Sequence, residues 1–140
     1  MTQTNAPRIA LFIDAENASA KDTKKIFDYC AGLDGRIAIA RCFGHLSSLK
    51  TWEKAMIEHH IVPVMTPPWA NKANASDFAL TIDAVSLMQR QSVDILVIAS
   101  SDADFAQLAV FAANGDLRFM ASVRQEQRLQ RGKLMGIFMF

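Results

Sequence analysis

The sequence predicts an α/β domain on a mainly parallel sheet of about five strands, and three observations carry that prediction. Short apolar runs alternate with amphipathic helical stretches along most of the 140 residues. The runs are apolar at consecutive positions, as strands covered on both faces require. Two of them end in acidic residues, where ligand-binding loops of such a sheet collect.

The elements follow in order. Arg8-Ile9-Ala10-Leu11-Phe12-Ile13-Asp14 is an apolar run closing on a carboxylate, the first strand. Residues 22–33 set Ile26, Phe27, Cys30 and Leu33 at helical spacing, and Gly32 with Asp34-Gly35 supplies the stop and turn. Ile37 to Ala40 with Cys42-Phe43 forms a second buried strand. A helix over 46–59 then presents Leu49, Trp52, Ala55 and Met56 on one side. Residues 61–65 make a third strand whose Pro63 suits a sheet edge, and Thr66-Pro67-Pro68-Trp69 opens a loop reaching Asn74. A helix over 76–89 is expected to bury Phe78, Ile82, Val85 and Leu87. Val93 to Ala99 is the most strand-like run, followed by Ser100-Ser101-Asp102-Ala103-Asp104-Phe105. A last helix ends at Asn114-Gly115, and 117–123 is a weak fifth strand. The βαβαβαβαβ order places ligands outside the carboxyl ends of the strands, after the first and fourth.

Composition narrows the function classes. Half the chain (51%) is apolar and 21% is charged, as in an ordinary soluble domain, and no apolar run approaches the roughly 20 residues of a bilayer helix. With no charged-then-apolar leader, a cytoplasmic location is expected. Cys30 and Cys42 lack ligand spacing, which argues against a disulfide framework or structural zinc. The net charge of +1 hides an asymmetry: residues 1–116 hold 10 basic and 13 acidic side chains, and 117–140 hold five and one. A basic tail attracts nucleic acid or is simply a solvated surface.

The acids are the informative part. Asp14 with Glu16 and Asn17, Asp77, and Asp102 with Asp104 fall far apart in sequence but at one edge of such a sheet. Four carboxylates in one crevice repel unless a cation joins them, and hard oxygen donors without thiolate or imidazole suit Mg²⁺ or Mn²⁺. Such an ion acidifies an attacking water and neutralises a leaving oxygen, the chemistry of a nuclease. Taken singly, Asp102 and Asp104 also fit the first turn of a helix behind a Ser101 cap, and Asp77 fits one behind Asn74 or Ser76. Asp14, directly after a buried strand, has no such alternative. Asp83 follows Asp77 by six residues, about 240° round a helix, and is expected to support the site or the fold. Lys72 suits either a substrate phosphate or a solvated loop position, and Asn17 suits either orienting a ligand carboxylate or capping a helix. Trp69 suits either base stacking or a lid on the core. His45, His59 and His60 have no spacing that places them with the acids, and no glycine-rich phosphate loop is present.

At these positions the sequence resembles the NYN domain family, the PIN-like nuclease branch that includes LabA-type proteins. The matching segments are Leu11-Phe12-Ile13-Asp14-Ala15-Glu16-Asn17, Asn74-Ala75-Ser76-Asp77-Phe78-Ala79-Leu80-Thr81-Ile82-Asp83-Ala84 and Ser100-Ser101-Asp102-Ala103-Asp104-Phe105. Three motifs in order are far more specific than one. The resemblance implies a PIN-like, Rossmann-like three-layer sandwich and metal-dependent ribonuclease activity on RNA, expected to be single-stranded. Asp14, Asp77, Asp102 and Asp104 stand at positions matching the family's acidic site, with Asn17, Asp83 and Ser101 at supporting positions. PIN-like domains often dimerise, which adds a homodimer to the expected partners. The competing class is a catalytically impaired RNA-binding or protein-interaction module on the same fold. A phosphatase of the haloacid dehalogenase type also places an aspartate after its first strand, but its usual Asp-x-Asp is Asp14-Ala15-Glu16 here.

The resemblance runs over residues 8–117, and the chain is divided accordingly into a domain, 1–117, and an atypical basic tail, 118–140. The family continues with a segment resembling Val-Tyr-Gly-Phe-Gly-Glu, where this chain has Arg118-Phe119-Met120-Ala121-Ser122-Val123-Arg124. Read from the third base of each codon, suitable codons for these seven residues spell the family's six. A frameshift near Leu117 is therefore expected, with the tail its product.

Overall fold

β1 (Arg8–Asp14) is buried from Ile9 to its last residue, because it has a neighbouring strand on each side and helices above and below. The computed structural model describes residues 6–67, 75–90, 93–101, 121–122 and 134–138. β1 is followed by a 3₁₀ turn (Ala20–Asp22), α1 (Thr23–Ala31), β2 (Arg36–Gly44), α2 (Leu46–Thr51), α3 (Glu53–His59), β3 (Val62–Met65), α4 (Ala75–Arg90), β4 (Ile95–Ala99), β5 (Ala121–Ser122) and β6 (Leu134–Phe138). The strand order is β3-β2-β1-β4-β6-β5, and every pair is parallel.

The period of two along the strands divides the core between the two faces of the sheet. Ala10 and Phe12 of β1 and Leu96 and Ile98 of β4 pack with Leu80, Ala84, Leu87 and Met88 of α4. Ile9, Leu11 and Ile13, with Ile95, Val97 and Ala99, face the other way onto Ile26 and Cys30 of α1, Leu49 of α2 and Ala55 of α3. Both β1 and β4 are buried on each side, hence their continuous apolar runs. The β1-to-β2 and β2-to-β3 connections thus use one face and the β3-to-β4 connection the other. The chain reverses its direction of travel across the sheet between β1 and β4, a topological switch point.

Three details depart from the sequence reading. The helix expected over 46–59 is two helices, broken at Trp52, whose φ of −99° and ψ of 2° leave the helical region. Trp52 is wholly buried, so its anchoring in the core dictates the bend. On α4, Phe78 and Ile82 are exposed (66% and 67%), and Leu80, Ala84, Leu87 and Met88 face the sheet. Two apolar stripes lie on this helix, and the small Ala84 lets the second come close. Finally, the position beside β4 belongs to β6; the expected fifth strand is described only at 121–122, on the far side of β6. Both β5 and β6 lie in the segment set apart as a tail.

Tight spots explain two glycines. A Cβ on Gly35 would stand 2.6 Å from the Pro7 carbonyl oxygen, and one on Gly44 would stand 3.0 Å from the Ala15 Cβ. Gly44 thereby lets the turn after β1 lie against α2.

Candidate functional site

Asp14 ends β1 at the switch point and is 1% exposed. Among the described residues, three donors to the carboxylate stand out. Oδ2 accepts from Asn17 Nδ2 at 2.9 Å and from Ser100 Oγ at 2.8 Å, and Oδ1 accepts from the Glu16 backbone N–H at 3.2 Å. The carboxylate is close enough to Cys42 that its negative charge adds to the effect of burial in pushing that thiol up to about 12.

The local chain makes this arrangement. Asn17 N–H donates to the Asp14 carbonyl at 3.1 Å, closing a turn over 14–17, and Ala15 N–H donates to the Phe43 carbonyl. The Asn17 carbonyl in turn accepts from Ser101 twice, from its N–H at 2.9 Å and its Oγ at 2.8 Å. Asn17 is therefore a two-sided connector: its amide holds Asp14, and its carbonyl fixes the chain leaving β4. It caps no helix; Ser19 does that for the 3₁₀ turn. Ser101, expected as a cap or support, serves as the other half of this connection.

Ser100 was not singled out from the sequence. It is wholly buried and touches Asp14 directly. The signal was present in the period of two: Leu96 and Ile98 face α4, so Ser100 continues that row beside Ala10, Phe12 and Asp14.

The Glu16 carboxylate turns away to α2. Its Oε1 accepts from the His45 backbone N–H at 2.8 Å and its Oε2 accepts from Ser48 Oγ at 2.7 Å. An Asp-x-Asp type pairing of residues 14 and 16 on one ligand is thus not what the turn builds. His45, which has no telling spacing in sequence, follows Gly44 at the same sheet edge, with Nδ1 3.0 Å from Thr66 Oγ1. His59 stacks on Phe27 with ring centroids 4.0 Å apart, a packing role.

Asp77 is the third residue of α4. Because α4 joins the carboxyl end of β3 to the start of β4, its first turn lies at the edge where Asp14 ends β1. The Asp77 side chain, and Lys72, Trp69, Asp102 and Asp104 altogether, lie outside the described residues. Asp83 is described: its Oδ2 accepts from Arg41 Nη1 at 3.2 Å, tying α4 to β2. Among the described residues, no three His, Cys, Asp or Glu side chains form a group that could hold a metal ion. What is described is one buried hard-oxygen donor with its orientation fixed, which suits Mg²⁺ or Mn²⁺ in kind.

The model of the NYN domain matches residues 8–129, nearly the whole chain and all three acidic segments. The chain belongs to the NYN domain family. NYN domains form a PIN-like nuclease family, typically dependent on divalent metals and acting on RNA. The match runs past Leu117, to residue 129. Among solved structures, a protein of unknown function from Vibrio parahaemolyticus is similar in fold, with a TM-score of 0.60 at 17% identity over 81% of this chain and 78% of that one. No curated protein matches. Among the described residues of this NYN domain, no helix is long and apolar enough to cross a membrane.

Proposed function

We propose that this NYN domain is a Mg²⁺- or Mn²⁺-dependent ribonuclease that hydrolyses phosphodiester bonds of single-stranded RNA at the edge where Asp14 stands. The observation that carries the reading is the buried Asp14 carboxylate at the switch point, held by Ser100, Asn17 and the Glu16 N–H. A buried carboxylate is costly, and three oriented donors at a fold's ligand edge are what a cation site requires of its supporting residues.

Asp77, Asp102 and Asp104 complete the acidic set with Asp14. These residues would hold a divalent ion, which would supply neutralisation of phosphodiester charge and acidification of the attacking water. In the reaction, the water oxygen bonds to phosphorus and a P–O ester bond breaks, leaving a phosphate monoester and a hydroxyl. The residues of the chain do the positioning. Ser100 and Asn17 fix the Asp14 carboxylate, and Ser101 on the Asn17 carbonyl fixes where the chain carrying Asp102 and Asp104 leaves β4. Lys72 and the tail arginines hold strand phosphates as positive charges.

The test is labelled single-stranded RNA incubated with Mn²⁺, Mg²⁺ or EDTA, with wild type and folded Asp14→Asn and Asp102→Asn variants. Cleavage that needs metal and disappears in both variants is the expected result. Cleavage undiminished by either substitution would place the activity elsewhere. RNA binding with no cleavage under any metal would make the chain a binding module.

A further inference from the structure

Helix α4 carries Asp77 on its first turn. Leu80, Ala84, Leu87 and Met88 seat it on the sheet, with Ala79 and Val85 packed alongside, whereas Phe78 and Ile82 point to solvent. Such apolar packing is strong but non-directional. A directional polar tie joins α4 to β2 as well. Arg41 sits opposite Phe12 in the β1/β2 register, with its guanidinium 5.8 Å from the centre of the Phe12 ring. From there Nη1 reaches Asp83 Oδ2 at 3.2 Å, and both side chains are about one-third exposed (33% and 35%).

We infer that the Arg41–Asp83 pair is a clamp that sets the rotation of α4 and thereby the placement of Asp77 in the acidic site. The inference rests on the nuclease reading above. Asp83 is six residues beyond Asp77, roughly 9 Å along the helix axis. Side-chain tips ride about 5–6 Å from that axis, so a rotation of about 20° shifts them by about 2 Å. A misplacement of about 1 Å can cost on the order of 100-fold in rate. A pair this exposed contributes little to stability itself. Its loss should leave the fold intact and disturb the site.

The experiment compares Arg41→Asp, Asp83→Arg and the double charge swap with wild type. Calorimetry with Mn²⁺ alone gives metal affinity, steady-state cleavage of labelled single-stranded RNA gives kcat and KM, and thermal unfolding reports on the fold. Each single variant is expected to stay folded and to bind Mn²⁺ about 10-fold more weakly. Each should also lose roughly 10- to 100-fold in kcat, with KM changed by less than about 2-fold. The swap restores the pair and should recover most of both losses, with Tm near wild type in all three variants, whereas a merely structural contact would move Tm together with rate. Single variants with wild-type Mn²⁺ affinity and kcat, or a folded swap no better than either single, would overturn the clamp while leaving the nuclease reading standing. A wild type that neither binds Mn²⁺ nor cuts RNA would refute that reading, and the clamp with it.

Discussion

Ser100→Ala removes one hydroxyl from the Asp14 carboxylate, and its cost can be worked from burial and charge. The Ser100 Oγ lies 2.8 Å from Asp14 Oδ2, with Ser100 wholly buried and Asp14 nearly so. Water cannot replace the lost donor without a cavity, and an alanine methyl offers the carboxylate nothing. Hydrogen bonds to charged groups contribute about 1.5–3 kcal/mol. Asn17 donates to the same oxygen, so the lower part of that range applies, roughly 2 kcal/mol. For a chain of this length that is a fall of roughly 6–8 °C in Tm.

The neighbouring donors supply the controls. Asn17 and Ser101 are both exposed, so water can take the place of their side chains. Asn17→Ala and Ser101→Ala should each cost no more than about 1 kcal/mol. The assay is thermal and urea unfolding of the three variants in EDTA, so that no metal contributes. The expected order is Ser100→Ala well below the other two. Equal losses from all three would refute the reasoning, because burial would then not be what makes the Ser100 bond matter. A Ser100→Ala protein as stable as wild type would refute it outright. Repeating the melts with Mn²⁺ extends the test to function, since a 10-fold loss of affinity removes about 1.4 kcal/mol of the metal-induced stabilisation.

Gly44→Ala forces a methyl to within 3.0 Å of the Ala15 Cβ and 3.3 Å of Glu16 Oε1, and a destabilisation of about 1–3 kcal/mol in urea midpoint measurements is expected. Burial pushes both Cys30 and Cys42 up to about 12; the unfolded thiols ionise near 8.5, so folding stability from these groups is complete below that pH and is lost as pH rises toward 12. Urea unfolding across that range should show the decline, shallower in Cys42→Ala. Leu80→Ala should cost about 2–5 kcal/mol and Phe78→Ser less than about 0.5 kcal/mol, a contrast that a chemical denaturation pair checks directly. The codons of residues 118–124, read from their third bases, are expected to spell Val-Tyr-Gly-Phe-Gly-Glu; sequencing of the gene decides it.

The sequence made most of the architecture legible because strand burial and strand ends leave direct marks. Apolar residues at consecutive positions from Ile9 to Ile13 and from Ile95 to Ala99 can only be strands covered twice, and these are the two that meet at the switch point. Asp14 stood out for the same reason: a carboxylate ending such a run has no exposed face to explain it. Where two solutions share one period, the pattern is silent. Phe78, Ile82 and Val85 repeat as a helical stripe as well as Leu80, Ala84 and Leu87 do, and the choice between them is made by the sheet, which accepts the stripe with the alanine and, of the other, only Val85. Trp52 is likewise invisible as a helix break, since tryptophan is no breaker by propensity and bends the chain only because its ring is drawn into the core.

The interactions least legible in sequence are those that hold the acids in place. Ser100 touches Asp14 across 86 residues, Arg41 touches Asp83 across 42, and Glu16 reaches His45 across 29. None belongs to a local motif, because each joins the ends of separate elements that only the strand order brings together. On the nuclease reading proposed above, the carboxyl edge has two tiers: residue types that announce chemistry, and ordinary serine, asparagine and arginine side chains that aim them. A variant in the second tier can leave every acid present and still displace it, so retention of the four aspartates alone does not make a working site. Ser100→Ala and the Arg41–Asp83 swap probe that tier from opposite sides, one from the strand beside Asp14 and one from the helix that carries Asp77. If both leave metal binding and rate untouched, the aspartates must be positioned by other contacts, and the two-tier account of this edge fails.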